Sequence, residues 1–244
     1  MKMKKIKRIL ILTIVTVIGV ASFGCKPYQK PEKPVYGDFV CDVVTEHNGV
    51  KLDTPYVSIL ELSEEGKSKK TIVVPSKISG YEVRIGVSGI WGYKGYWESD
   101  NLEKVYICND VKIVASDFLR DVSVKQIFDM RPYGLDVVTL KDNGEEIFKY
   151  NLYTKEDLEK VNVVFRLNND NEYDRYWIDV LNNEIIAVIP PEPTRKGYKF
   201  DGWYKEEECI TPWDFDHDIV PEPVYDEEGK CTNKIELFAK WIKE

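Results

Sequence analysis

The stretch 193–204 constrains the fold more than any other part of the sequence. It reads Pro-Thr-Arg-Lys-Gly-Tyr-Lys-Phe-Asp-Gly-Trp-Tyr, with one proline, two glycines and four aromatic residues. Tyr198, Phe200 and Tyr204 alternate with polar residues or glycine, which is the spacing of a β-strand. The first glycine predicts a sharp bend before that strand, and Gly202 predicts one within it. The stretch therefore predicts a short β-module rich in aromatic residues.

This run resembles the Listeria–Bacteroides repeat, an internalin B-repeat-like module with the pattern P-x-R-x-G-Y-x-F-x-G-W-Y. The closing motifs of that family match residues 213–215 and 237–241. The motifs occur in the family's order, and the resemblance extends over about Asn162–Trp241. It implies a small β-grasp-like fold. It also implies that the tryptophans of the three motifs lie in the core: Trp203, Trp213 and Trp241.

A repeating pattern lies upstream of this module. Residues 72–74 and 105–107 occupy equivalent positions in two units, and residues 124–128 belong to a third, partial unit. The spacing from Leu102 to Val124 is close to the length of a leucine-rich repeat. The phrase at 72–86, Ile-Val-Val-Pro-Ser-Lys-Ile-Ser-Gly-Tyr-Glu-Val-Arg-Ile-Gly, resembles the BspA-like leucine-rich repeat.

Such repeats bury their apolar residues only against neighbouring units, so a short array needs caps. We expect the strand-like residues 39–62 to cover one end and residues 135–150 to cover the other. Asp142-Asn143-Gly144 is a strong turn signal and predicts a hairpin within the second cap. The spacing of Thr154 and Asp157 predicts a short linking helix over 154–160.

The N-terminal residues indicate export. Five basic residues among the first eight precede an apolar run at 9–20, which is short for a bilayer-spanning helix. Gly24-Cys25 then resembles the cleavage site of a bacterial lipoprotein signal. The resemblance implies that Cys25 becomes the first residue and carries the lipid; an ordinary secretory peptide without lipid is the alternative. Residues 26–34 contain three prolines and predict an extended tether.

These observations together predict a mainly β protein, with a short leucine-rich-repeat domain followed by a β-grasp-like module. The predicted segments, in order, are a signal peptide at 1–24, a lipid-anchored tether at 25–38, a repeat domain with flanking β caps at 39–153 and the module at 154–244. The expected location is the extracellular side of the cell membrane.

Four cysteines remain if Cys25 carries a lipid. Exported proteins often contain disulfides. Cys209 and Cys231 share the predicted module, so we expect these two to pair. Cys41 and Cys108 each lie in an apolar, strand-like run, where a buried free thiol is favoured over a second disulfide.

A glycine-punctuated loop between the first two repeat units is the candidate binding site. It contains Tyr93, Tyr96 and Trp97. Rings on such a loop stack on sugars or anchor a protein partner when they are exposed. The alternative is that they fold back over the end of the repeat core. Exposed rings would favour a binding protein, whereas buried rings would favour a spacer.

No catalytic constellation is present in the sequence. The two histidines, His47 and His217, are far apart, and no nucleophile elbow, zinc-protease or phosphate-loop motif occurs. The run Asp214-Phe215-Asp216-His217-Asp218 lacks the ligand spacing of a calcium loop and predicts a solvated acidic turn rather than a metal site. We therefore expect no enzymatic activity, no cofactor and no metal.

The charge of the chain bears on its partners. The formal net charge is −8, and five positive charges lie in the predicted signal peptide, which leaves −13 on the remaining residues. An acidic body argues against binding to nucleic acid. The predicted function is non-catalytic binding or adhesion at the cell surface, with a protein or glycan partner. The alternative is a structural or spacer protein of the cell envelope.

Overall fold

Strands form nearly all of the regular structure. The computed structural model describes residues 33–47, 49–85, 97–113, 121–122, 124–131, 141–142, 145–146, 151–169 and 174–244. Within these ranges the chain has twenty strands and one short helix. The prediction of a mainly β protein is confirmed.

The elements are named in chain order. The first half contains β1 (Val35–Tyr36), β2 (Phe39–His47), β3 (Val50–Leu62), α1 (Glu64–Ser68), β4 (Thr71–Val74), β5 (Lys77–Ile78), β6 (Tyr81–Ile85), β7 (Glu98–Ser99), β8 (Lys104–Ile107), β9 (Lys112–Ile113), β10 (Asp121–Val122) and β11 (Gln126–Asp129). The second half contains β12 (Lys141–Asp142), β13 (Glu145–Glu146), β14 (Asn151–Thr154), β15 (Val163–Arg166), β16 (Arg175–Asp179), β17 (Glu184–Ile185), β18 (Tyr198–Tyr204), β19 (Ile219–Val220) and β20 (Ile235–Lys243).

Four parallel strands, in the order β4-β8-β11-β14, form a ladder. Ile72, Val105, Ile127 and Leu152 occupy the same rung, so the positions predicted to be equivalent are aligned in space. Their side chains are fully buried in the first three strands and partly buried in β14. Strand β14, the fourth strand of the ladder, was not part of the predicted array of repeat units.

Two further parallel pairings show that the chain coils. After β4 the chain forms β6 and β7, and after β8 it forms β9 and β10. Strand β6 pairs with β9, and β7 pairs with β10, both in parallel. The turns that begin with β4 and β8 therefore each contribute strands to three sides and stack on one another.

An antiparallel meander covers the first turn. Strands β1, β2 and β3 pair in that order, and β3 continues in parallel onto β6. Helix α1 follows β3 and is capped at its N-terminus by Ser63, whose Oγ accepts a hydrogen bond from the Gly66 backbone N–H at 3.1 Å. Strands β2 and β3 both lie within residues 39–62, the segment predicted as a cap.

The region after the third turn differs in part from the prediction. Strands β12 and β13 pair as an antiparallel hairpin with Asp142 opposite Glu145, as the turn signal predicts. The helix predicted over 154–160 is wrong, because Thr154 ends β14 and the residues after it form turns. The Asp157 carboxylate accepts hydrogen bonds from the backbone N–H and the hydroxyl of Thr154, at 2.9 and 3.0 Å, which closes a turn without starting a helix.

The C-terminal module is a four-stranded mixed sheet in the order β16-β15-β20-β18. Its first and last strands, β15 and β20, lie parallel at the centre, and the outer strands are antiparallel to them. Strands β17 and β19 form a separate short pair. Trp203 and Trp213 are buried, as the resemblance implied, whereas Trp241 is only partly buried and packs against the core.

The ladder and the module belong to one compact unit, Lys33–Glu244. Their buried residues form a single hydrophobic cluster. Among the described residues, no helix has the length and apolar character needed to cross a bilayer.

Candidate functional site

The aromatic loop predicted as the binding site needs a correction at Trp97. Its side chain is 0 % exposed and lies 5.8 Å from the ring of Phe39, measured between ring centroids. Trp97 is therefore a core residue that joins the meander to the first turn of the coil. Tyr93 and Tyr96 lie outside the described residues, so the binding role of the loop stays a prediction.

The predicted disulfide is not formed in the structure, in which Cys209 and Cys231 are both free thiols. The Cys209 Sγ lies 3.7 Å from the carbonyl oxygen of Ala239, in the middle of β20. Cys231 precedes β20, and its backbone N–H donates to the carbonyl of Glu159. The two thiols thus occupy different parts of the module. The prediction paired them because both lie in that module, and this was not a sufficient reason.

The other cysteines behave as expected. Cys41 and Cys108 are free and buried. Burial raises the pKa of the Cys41 thiol to about 12 and that of Cys108 to about 11. Both thiols are thus protonated at neutral pH and unsuited to nucleophilic chemistry. Cys25 lies outside the described residues.

The acidic turn at 214–218 is closed by its own contacts. The Asp214 carboxylate hydrogen-bonds His217 Nδ1 at 2.9 Å, and this contact raises the pKa of the exposed imidazole. Asp218 forms an ion pair with Lys205 at 2.7 Å. Within the described part of the chain, no group of three or more His, Cys, Asp or Glu side chains is arranged to bind a metal ion.

The outer face of the ladder is not available to a ligand. Tyr106, Phe128 and Tyr153 occupy the same rung of three adjacent strands, and their rings stack with centroids 4.8 and 5.0 Å apart. Trp177 of the module stacks on Tyr106 at 5.3 Å. The module therefore covers a surface that repeat proteins otherwise leave open for partners.

A buried polar contact fixes this junction. The Tyr106 hydroxyl donates to the Asp179 carboxylate at 2.7 Å, and Lys104 donates to the Val180 carbonyl at 3.2 Å. Burial raises the pKa of Asp179 to about 6, although Lys104 and the tyrosine hydroxyl both favour its charged form. The contact is structural, since Asp179 is 1 % exposed.

A different aromatic surface remains partly exposed, on the half of the module sheet formed by β18 and β20. We call it the aromatic platform and define it as Tyr198, Phe200 and Trp241. The three rings are each partly exposed. Phe200 lies directly opposite Trp241, with ring centroids 5.8 Å apart.

A β-bulge places the platform above the core of the module. The pairing of β18 with β20 shifts between Phe200 and Gly202, which has a φ of +130°. Because of this extra residue, the buried Trp203 points to the same face as Phe200, and their rings meet edge to face at 5.3 Å. The Trp241 indole N–H donates to the Leu167 carbonyl at 2.6 Å, which holds that ring across the sheet.

The turn before β18 brings cations to the platform. The Tyr198 backbone N–H donates to the Arg195 carbonyl at 3.1 Å, and Gly197 supplies the positive φ of +78° that the turn requires. The Arg195 guanidinium consequently lies 4.2 Å from the Tyr198 ring centroid and 5.9 Å from that of Trp241. Lys243 lies directly opposite Tyr198 in the sheet.

A second surface feature is an open cleft beside α1. It is lined by residues of β1, β2 and the end of β3, together with the acidic first turn of the helix. Glu64 and Glu65 in that turn already pair with Lys67 and Lys69. The cleft thus presents self-paired charges, whereas the platform presents apolar rings and cations.

Comparisons with known proteins agree with the module prediction. Residues 162–240 match the family model of the Listeria–Bacteroides repeat domain. A protein of Evansella cellulosilytica described as "Putative membrane protein" is 27 % identical over 92 residues. That match covers 37 % of this chain, and the chain spans 11 % of the length of the relative. The predicted resemblance over Asn162–Trp241 is confirmed, and it indicates a surface-associated protein.

Proposed function

We propose that the protein is a non-catalytic binding protein of the cell surface that recognises a glycan or protein partner through the aromatic platform. The observation that carries this proposal is the set of three partly exposed rings that share one face of the module sheet, beside exposed lysines. Aromatic rings at an accessible surface provide large contact areas with little loss of conformational entropy.

The covered ladder supports the same conclusion. Tyr106 and Phe128 are committed to the junction with the module, so a ligand contact on that face would require the junction to open. In this proposal the turns of the coil belong to a BspA-like leucine-rich-repeat domain that carries a β-grasp-like module. Cys25 bears a lipid that holds both at the extracellular side of the membrane.

The test is a screen of the purified full chain against immobilised glycans and surface proteins, with Tyr198→Ala as the platform variant. Tyr81→Ala is the matched control, because Tyr81 is a similarly accessible tyrosine on β6, outside the module. We expect Tyr198→Ala to weaken binding about tenfold, as removal of an interface anchor does, and Tyr81→Ala to leave it unchanged. Equal binding by both variants would exclude the platform.

The lipid anchor has its own test. Metabolic labelling with a fatty acid should mark the full chain and should not mark Cys25→Ser. Equal labelling of both proteins would contradict lipid attachment at Cys25, without bearing on the platform.

The alternative function is a structural spacer of the cell envelope. The burial of Trp97 and the single shared core favour it, because both make the unit stiff rather than adhesive. If the protein is a spacer, neither the wild type nor Tyr198→Ala should bind any of the screened molecules.

A further inference from the structure

The rim of the aromatic platform is basic in a chain that is otherwise acidic. Residues 195–200 contain three basic residues and no acidic residue, whereas the formal net charge of the chain is −8. Lys196 and Lys243 are exposed, and neither makes an ion pair with any residue that the structure describes. We call Arg195, Lys196 and Lys243 the basic rim.

The two faces of the sheet differ at this point. Tyr198, Phe200, Trp241 and Lys243 share one face, because residues directly opposite in an antiparallel pair point to the same side. Lys199 and Ile242 lie opposite each other on the other face. On that face Lys240 is already 3.7 Å from the carboxylate of Asp201 and 4.5 Å from the ring of Tyr204.

Among the described residues, the ammonium groups of Lys196 and Lys243 therefore remain available to a ligand. Glu244 lies next to the rim, since its backbone N–H donates to the carbonyl of Gly197 at 3.2 Å. Cations beside partly exposed rings are suited to a ligand with both apolar faces and negative groups, since ring stacking and charged hydrogen bonds then act together.

We propose that the platform and its basic rim bind a linear polysaccharide whose sugars carry uronate carboxylates. This inference rests on the proposed function and specifies its ligand. The rings contact sugar faces, and Lys243 with Lys196 contacts carboxylates. A neutral glycan would leave the cations unused.

Charge density distinguishes this ligand from nucleic acid. DNA carries one charge per about 1.7 Å of its axis, and its binding depends on neutralising many phosphates. The rim offers three cations on a strongly acidic body, which repels such a polymer at longer range. A polyuronate carries one carboxylate per sugar and leaves the ring faces free to stack.

The experiment measures binding of the purified full chain to sodium polygalacturonate and to the same polymer after methyl esterification, which removes its charge and keeps its backbone. We expect the unesterified polymer to bind at least tenfold more tightly. This preference should shrink at about 1 M salt, where the Debye length is about 3 Å.

Two charge-reversal variants locate the effect. Lys243→Glu should lower affinity for polygalacturonate about tenfold and leave affinity for the esterified polymer unchanged. Lys199→Glu makes the same change in net charge on the opposite face and should alter either affinity less than twofold. An equal loss from both variants would overturn the inference, because net charge alone would then explain the binding.

The remaining outcomes separate this inference from the proposed function. Equal binding of both polymers, lost in Tyr198→Ala, would retain a glycan-binding platform and overturn the role of the carboxylate. Failure to bind either polymer, with binding of a protein partner that Tyr198→Ala abolishes, would overturn the polysaccharide alone. Failure in every screen would overturn both.

Discussion

Asp179 couples the stability of the protein to pH at the scale of a single residue. In an unfolded chain an aspartate has a pKa of about 3.9, and burial raises the pKa of Asp179 to about 6 in the folded protein. The folded state therefore holds its proton more tightly. Below pH 4 both states are protonated, and as the pH rises through 6 the folded state loses stability relative to the unfolded state.

We predict that Asp179→Asn removes this pH dependence. The side-chain amide oxygen can still accept the hydrogen bond from Tyr106, while no buried charge forms. The wild type should lose about 2 kcal/mol more free energy of unfolding than the variant between pH 4 and pH 7. Urea unfolding at several pH values measures this difference. Asp53→Asn, at an exposed position on β3, should retain the wild-type profile, and identical profiles for all three proteins would contradict the prediction.

Single residues also show where sequence reasoning ends. Cys209 and Cys231 lie in one module, and Trp97 lies in a glycine-punctuated loop, yet neither fact fixes a distance in space. The position of a thiol or a ring depends on which strand passes beside it. For Trp97 the deciding neighbour is Phe39, 58 positions earlier in the chain. Contacts at this separation are not encoded in local spacing.

At the scale of elements, prediction succeeded where the pattern was strong. Strands β4 and β8 are runs of β-branched and aromatic residues, and their alignment in the ladder was read from the repeat. Strand β14 has the same role but contains only two apolar residues, Leu152 and Tyr153. Its pairing with β11 places it in the ladder, a tertiary effect that outweighs its weak strand propensity.

The bulge in β18 shows a different limit. The two-residue period of a regular strand would place Tyr204 on the same face as Tyr198 and Phe200. The bulge between Phe200 and Gly202 adds one residue, so Trp203 lies on that face instead. The glycine at 202 indicated a bend, and Asp201 beside it gave no sign of how the register would shift. The sequence therefore did not predict which rings share the platform face, although these rings belong to motifs of the resembled family.

Helix α1 gives a prediction at the same scale. A Cβ atom at Gly66 would overlap the backbone carbonyl oxygen of Asp38, because the helix packs closely on the turn between β1 and β2. Alanine normally favours a helix by about 1 kcal/mol relative to glycine. We predict the opposite sign here, with Gly66→Ala lowering the free energy of unfolding by about 1–3 kcal/mol through overpacking.

Urea unfolding measures that change, and Ser68→Ala in the same helix is the control. Ser68 is exposed, and its hydroxyl donates to the carbonyl of Glu65 within the same helical turn. Its replacement should change stability by less than about 0.5 kcal/mol. An increase in stability for Gly66→Ala would show that the helix is free to move away from Asp38.

At the scale of the whole molecule, the ladder and the module depend on each other. One face of the ladder carries the stacked rings of Tyr106, Phe128 and Tyr153. This apolar face must be shielded from water by another part of the protein. The module supplies Trp177, together with the buried acceptor Asp179 for the tyrosine hydroxyl. Neither surface is suited to water alone, since each would expose large aromatic rings.

We therefore predict that the unit Lys33–Glu244 unfolds in one transition and that Trp177→Ala uncouples its parts. Loss of this ring removes the stack on Tyr106 and leaves a cavity, at a cost of about 3–5 kcal/mol. Limited proteolysis during heating, with mass spectrometry of the fragments, reports on the ladder and the module separately. In the wild type, fragments from both parts should lose protection at the same temperature.

In Trp177→Ala the two sets of fragments should lose protection at different temperatures, because each part then unfolds with only its own contacts. Trp213→Ala is the matched control, since it removes a buried tryptophan of the module that makes no ring stack with Tyr106. That variant should lower the transition and keep it single. Two transitions in the wild type would mean that the covered aromatic face contributes little, and the ladder face would then become available to a partner.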